Sequence, residues 1–314
     1  MSFGPKHPDV YSRHQKLRQI FMENPDAERI FHAIGDVVGE HRAAVDAGSE
    51  MEARAVAILG NSGTGKTKST IHGLERLGLK DTVVGDNPRS FLVIKLKAKA
   101  SLRGLCAGAL TAYGWPVNKR DSAEEIWTEV DGYIRKLQTS VLVFDEIQHV
   151  RSAGAVDRAD LRDFLKSLVQ PGQSIVIPIV VGTPDFLEVL NSDDQLFRRC
   201  RQVHTRTLET AIDLEVVART LNQYAKAANI QLTKSVKNRE FAARLLHVSK
   251  YAFGTMCEYC CAGIKQAMLE DSTELKIQHF EDTYRRNIDC VPALNPFVAA
   301  DFQNIQIGEK TDFR

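Results

Sequence analysis

The chain has 314 residues, 43% hydrophobic and 26% charged, and its 41 Lys and Arg against 40 Asp and Glu leave a net charge of +1. That length and balance describe a globular protein of about two domains, or one large α/β domain with an appendage, and exclude disorder as the main state. They also exclude bulk positive charge as a means of holding nucleic acid, so any such surface must be a local patch. The longest uncharged stretch, 170–183, is too short for a membrane span and is broken by Pro171, Gly172 and Pro178. The opening MSFGPKHPDVYSRHQK has no apolar signal segment, and six cysteines without one point to reduced thiols, so a cytoplasmic location with no membrane partner is expected.

Residues 10–48 carry helical spacing in Leu17, Ile20, Phe21, Ile30, Ile34, Val37 and Val38, which predicts an N-terminal helical segment over 1–48. A core of strands and helices follows over 49–208. It opens with the apolar run 55–59, a buried strand, and then Gly60-Asn61-Ser62-Gly63-Thr64-Gly65-Lys66-Thr67-Lys68. This fits G-x-x-x-x-G-K-[ST], the P-loop that cradles ATP. Its glycines let backbone N–H groups face phosphate oxygens, Lys66 supplies a cation to the β- and γ-phosphates, and the Thr67 hydroxyl ligates Mg²⁺. Residues 91–96 read as a second strand and 101–113 as a helix. From 89 to 120 there is no acidic residue, against Arg89, Lys95, Lys97, Lys99, Arg103, Lys119 and Arg120. Lys97, Lys99, Arg103, Lys119 and Arg120 are candidates for tracking the backbone of double-stranded DNA without reading sequence; the alternative is a solvated basic face.

Asp121, Ser122, Glu124 and Glu125 predict a capped, acid-rich first turn for a helix over 122–138. The apolar strand 141–144 ends in Asp145-Glu146, about 80 residues after Lys66. At that distance from a P-loop the pair reads as a Mg²⁺-holding carboxylate followed by a general base for water. A helix over 157–170 precedes the buried run 175–183, whose terminal Thr183 either senses the γ-phosphate or caps the next helix, roles that are compatible. A helix over 185–201 leads to a short strand over 202–208. The alternation predicts an α/β fold with a parallel sheet flanked by helices. From 209 to 290 the pattern is helical throughout, a separate lid, and 291–314 reads as an extended tail with apolar Phe297, Val298, Phe302 and Ile305. That tail suits docking on a partner, or packs back on the lid. Cys257, Cys260 and Cys261 lie at helical spacing with no second ligand pair, which favours core packing over zinc.

The P-loop, the Asp-Glu strand end, the sensor strand and the helical lid, in this order, resemble the AAA+ ATPases. Asp145-Glu146-Ile147-Gln148-His149, Gly182-Thr183-Pro184-Asp185 and Gln195-Leu196-Phe197-Arg198-Arg199 look like the TniB and TnsC transposon ATPases, and Asn295-Pro296-Phe297 resembles TniB-type tails. The resemblance spans about residues 10–297. It implies an ATP-dependent regulator that assembles on target DNA as a ring or filament and recruits or activates a DDE transposase, with a TniQ-like targeting protein as a further partner. It also implies that Arg198 or Arg199 reaches a neighbouring subunit's γ-phosphate, and that the basic segment faces the DNA channel. One departure stands out: Thr255, after Gly254, occupies the place where many AAA+ lids carry a sensor arginine. Slow hydrolysis, used as a switch, is the expected consequence. Alternatives are a DNA motor or clamp-loader-type ATPase, and a signalling P-loop ATPase that binds only proteins.

Overall fold

Five apolar runs pair in parallel: β1 (Ala55–Leu59), β2 (Phe91–Lys95), β3 (Val141–Asp145), β4 (Ile177–Gly182) and β5 (Cys200–His204), in the spatial order β2-β3-β4-β1-β5. The computed structural model describes residues 8–49, 54–82, 89–97, 101–150, 155–170 and 176–308. Lys99 and residues 309–314 lie outside them. Strand residues alternate between two cores. Val56, Ile58, Val141, Val143, Ile177, Ile179 and Val181 face one side, where Ile30, Ile34, Val37 and Val38 meet them. Ala55, Ala57, Leu59, Leu92, Ile94, Leu142 and Phe144 face the other. Each such Ile, Leu or Phe stabilises the fold by roughly 1.5–3 kcal/mol.

The first helix, α1 (Pro8–Gln19), and the second, α2 (Ala27–Ala47), are not one segment. Pro25 has no N–H to continue a helical ladder. Asp26 then anchors the turn, accepting from Arg29 Nη1 at 2.7 Å and from the Arg206 backbone N–H at 2.9 Å. Three further helices connect the first strands, α3 (Lys66–Arg76) between β1 and β2, and α4 (Leu102–Ala112) and α5 (Ala123–Lys136) between β2 and β3. The expected cap of α5 is a reciprocal box, in which the Glu125 N–H donates to Ser122 Oγ and the Ser122 N–H to Glu125 Oε2. After α6 (Ala155–Leu168), the helix expected over 185–201 divides into α7 (Leu187–Asn191) and α8 (Asp194–Arg199). The break is Asp193, extended at φ −143°, whose carboxylate accepts from the Gln195 and Leu196 N–H groups.

The chain divides into two compact units. The sheet unit takes residues 26–62 and 66–206. The helical unit takes the described residues up to Pro25, the P-loop tip Gly63–Gly65, and the described residues from Thr207 onward. Its helices are α1, α9 (Leu214–Ala228), α10 (Arg239–Val248), α11 (Phe253–Leu269) and α12 (Ile277–Ile288). Val10 and Leu17 of α1 share a core with Leu221, Tyr224, Phe241, Ile264 and Phe280. Cys260 and Cys261 belong to that core, and burial pushes the Cys260 thiol far above the usual range.

Over its described residues, 291–308, the segment expected as an extended tail packs back on the helical unit, the alternative the sequence also allows. Phe297 is 2% exposed, with its ring 5.6 Å from Phe280 and 6.1 Å from Phe241. The buried Arg244 guanidinium donates to the carbonyls of Pro296 (2.5 Å) and Ala299 (2.7 Å) and lies over the Phe302 ring. An apolar residue without a period can still be core when a buried cation gathers its carbonyls. Among the described residues, no helix is long and apolar enough to cross a membrane.

Candidate nucleotide site

The strand order sets the site. Because β4 lies between β1 and β3, the carboxyl ends of these three strands are neighbours. The P-loop leaves β1, Thr183 follows β4, and Asp145 closes β3. Open parallel sheets bind ligands at such ends.

Within the P-loop, Gly63 and Gly65 take left-handed φ values of +77° and +91°, which a side chain would strain. Gly60 is constrained by space, since a Cβ there would lie 1.9 Å from Thr205 Oγ1. Asn61 and Ser62 are exposed, Thr64 is buried, and Lys68 lies exposed on α3. Lys66 is buried, its Nζ donating to the Gly60 and Asn61 carbonyls at 2.8 Å each. Burial pulls its ammonium below the usual lysine value, while the Glu146 and Asp145 carboxylates act the other way. A phosphate brought to this loop replaces carbonyl dipoles with full charges around a poorly solvated cation.

Thr67 Oγ1 donates to Asp145 Oδ1 at 2.9 Å, tying the start of α3 to the end of β3. Asp145 is 4% exposed, and burial raises its carboxyl above the usual value despite the bond from Thr67. A hydroxyl and a carboxylate meeting in a desolvated corner are hard oxygen donors short of positive charge, so they fit Mg²⁺. Glu146 turns out of the strand at φ +62°, exposed. Its Oε2 accepts from Gln148 Nε2, on the 3-10 turn Ile147–Val150, and Gln148 Oε1 accepts from the Thr183 N–H at 3.3 Å.

Thr183 occupies the cap position of the turn Pro184–Phe186 but makes no side-chain cap bond. Its Oγ1 is buried without a hydrogen-bond partner among the described residues. Buried hydroxyls are seldom left so, and this one can both donate and accept.

Of the two candidate arginines, Arg199 is partly buried and donates to the Val169 carbonyl at 3.0 Å, whereas Arg198 is exposed and has no hydrogen-bond partner among the described residues. Asp193, held to Lys166 at 2.9 Å, fixes the short helix that carries both.

The basic segment is less uniform than its composition. Lys97, Lys119 and Arg120 are exposed. Arg89 pairs with Asp81 at 2.9 Å and donates to the Ala112 carbonyl. Arg103, expected on the DNA-facing surface, instead staples the loop beside it, donating to the carbonyls of Asp121 (2.8 Å), Asn118 (3.0 Å) and Lys119 (3.2 Å). Ser101 Oγ takes the Gly104 N–H, so that helix start does not offer all its amides outward. Sequence reading missed a ring stack beside this loop, in which exposed Trp115 lies 5.5 Å from Tyr133, itself 5.7 Å from Tyr113. In the helical unit, Thr255 falls in the first turn of α11.

Comparisons with known proteins agree with this architecture. Solved structures similar to the chain include Cdc6p from Pyrobaculum aerophilum, with a TM-score of 0.60 and 13% identity over 87% of this chain and 70% of that one. The Aeropyrum pernix ORC1 protein in complex with DNA gives 0.58 and 13% over 87% and 70%. The Aeropyrum pernix ORC2 protein, in ADPNP-ADP complexes, gives 0.57 and 12% over 88% and 72%. No curated protein sequence matches the chain. The fold is that of the AAA+ P-loop ATPases. The model of the bacterial TniB protein family matches residues 21–210, more than half of the chain, and the chain belongs to that family.

Proposed function

We propose that the chain is an AAA+ ATPase that assembles on duplex DNA and uses its nucleotide state to regulate transposition. The observation that carries the ATPase reading is the buried hydroxyl of Thr183, without a hydrogen-bond partner among the described residues, at the end of the strand next to the one that ends in Asp145, which Thr67 bonds. In this reading Lys66 exchanges its loop carbonyls for the β- and γ-phosphates of ATP. Thr67 and Asp145 would hold Mg²⁺, which would supply positive charge against the phosphates. Glu146 takes the proton of the attacking water, and Thr183 donates to the γ-phosphate or to that water. Arg198, exposed and uncommitted, reaches a neighbouring subunit's nucleotide, which makes the active form a homo-oligomeric ring or filament.

Membership of the TniB family supports transposition as the process served, with a DDE transposase and a TniQ-like targeting protein as partners. The exposed cations Lys97, Lys119 and Arg120 support sequence-tolerant contact with phosphates, and Lys99 belongs to the same proposal. Thr255 in place of a sensor arginine supports slow, switch-like turnover. The test is ATP hydrolysis with and without duplex DNA, together with imaging of the assemblies formed on that DNA. Stimulated hydrolysis and ordered assemblies without strand unwinding are expected. Unwinding would favour a motor, and indifference to DNA would leave a protein-only signalling ATPase.

A further inference from the structure

One side chain joins the two groups that flank the proposed γ-phosphate position. The Gln148 amide presents a donor and an acceptor at once. Its Nε2 donates to Glu146 Oε2, and its Oε1 accepts from the backbone N–H of Thr183. Space for this bridge exists because residue 182 is glycine: a Cβ there would lie 2.5 Å from Ile147 Cγ2 and 2.9 Å from Gln148 Oε1. Glu146 leaves β3 in a left-handed conformation that glutamate rarely adopts, and it is exposed, so packing does not set the direction of its carboxylate. The Gln148 amide is the side-chain partner that fixes it.

We infer that Gln148 is a positioning residue that sets the Glu146 carboxylate relative to Thr183, so that the general base is aligned with the sensor strand. With Oε2 tied to the amide, Glu146 Oε1 is the oxygen left to take a proton from water. Any movement of the β4 end on engagement of a phosphate by the Thr183 hydroxyl is passed through the Thr183 N–H and the Gln148 amide to the base. The inference rests on the ATPase reading above and adds to it a residue that touches neither substrate nor metal.

The test compares Q148A, Q148E, E146Q and the double variant E146Q/Q148A in the full chain, measuring DNA-stimulated kcat and KM, ATP affinity by a fluorescent ATP analogue, and thermal unfolding. Q148A is expected to lower kcat by about 10- to 100-fold while KM and analogue affinity stay within about twofold. Q148E keeps the size of the side chain but offers only acceptors, so a packing role would be rescued by it. Here it is expected to lower kcat at least as far as Q148A, because the second carboxylate repels Glu146. In the double variant, Q148A is expected to add little to the loss caused by E146Q. Wild-type kcat in Q148A with E146Q inactive would overturn this inference alone, as would rescue by Q148E or a fully multiplicative double variant. Undiminished turnover in E146Q would overturn the assignment of Glu146 as the base and this inference with it, whereas no hydrolysis by the wild-type chain would overturn the ATPase reading itself.

Discussion

The nucleotide end of the sheet and the basic segment 89–120 both present polar side chains in a pattern visible in the sequence, yet they differ in what holds those side chains. Lys66, Asp145 and Thr183 follow or end buried strands whose order makes them neighbours, so residue type and position along the chain already define a geometry. In the basic segment, availability depends on nearby carbonyls. Arg103 finds three, Arg89 finds Asp81 and a helix end, and Lys119 and Arg120 remain exposed on a loop that Arg103 itself shapes. A cation at a strand end is placed by the fold; a cation near a loop can be consumed in making the fold. Composition does not distinguish the two.

The comparison is broken most forcefully from the nucleotide side. K66A removes the one buried cation of the P-loop, and ATP affinity is expected to fall by more than about 100-fold in a fluorescence titration. Retained affinity would mean that the strand ends do not form the site. In the helical unit, F297A is expected to cost about 3–5 kcal/mol in denaturant unfolding, because the ring is fully packed among Phe241, Phe280 and Tyr284. Normal stability there would restore a free docking tail.

The basic segment offers a sharper, smaller contrast. K119A and R120A are each expected to flatten the dependence of log K on log salt by about 0.9, with little change in stability. R103A is expected to weaken DNA binding only through the disordering of its loop, so it should lower protection of amide hydrogens at 118–121 even without DNA. An R103A variant with an intact loop and a lost phosphate contact would return Arg103 to the interface.

The smallest effect concerns the helix that presents Arg198. D193A removes its cap and is expected to cost about 1 kcal/mol. Lys166 is the largest cause holding the Asp193 carboxyl below its usual value. Its stabilisation is therefore complete above the ordinary aspartate range and is lost as pH falls through the lower folded value, where the unfolded chain binds more protons. Acid unfolding of D193N is expected to lack that contribution.

Much of this was legible in the sequence for physical reasons. The P-loop glycines, the Asp-Glu strand end and the Ser122 box are local, and local geometry follows from local residues. Pro25 marks the division of the N-terminal helices, but the destination of each was not legible, because Leu17 and Ile34 are alike in hydrophobicity and only tertiary packing sends them to different cores. For a related reason the sequence left open whether the segment after residue 291 docks elsewhere or packs back on the lid. Asn295 and Phe297 have no helical or strand period, and it is Arg244, about 50 residues earlier, that satisfies the carbonyls between them and Ala299. Gln148 was visible as part of a motif, but its bridging of Glu146 and Thr183 depends on β4 lying beside β3.

The most direct test of the proposed switch, in which hydrolysis at these strand ends releases the protein from DNA, is the lifetime of E146Q on duplex DNA. With ATP present, E146Q binds nucleotide but lacks the base that accepts the water's proton. Dissociation from duplex DNA after challenge with competitor is expected to be at least about tenfold slower than for the wild-type chain. Equal dissociation rates, with ATP hydrolysis abolished in the variant, would contradict the claim.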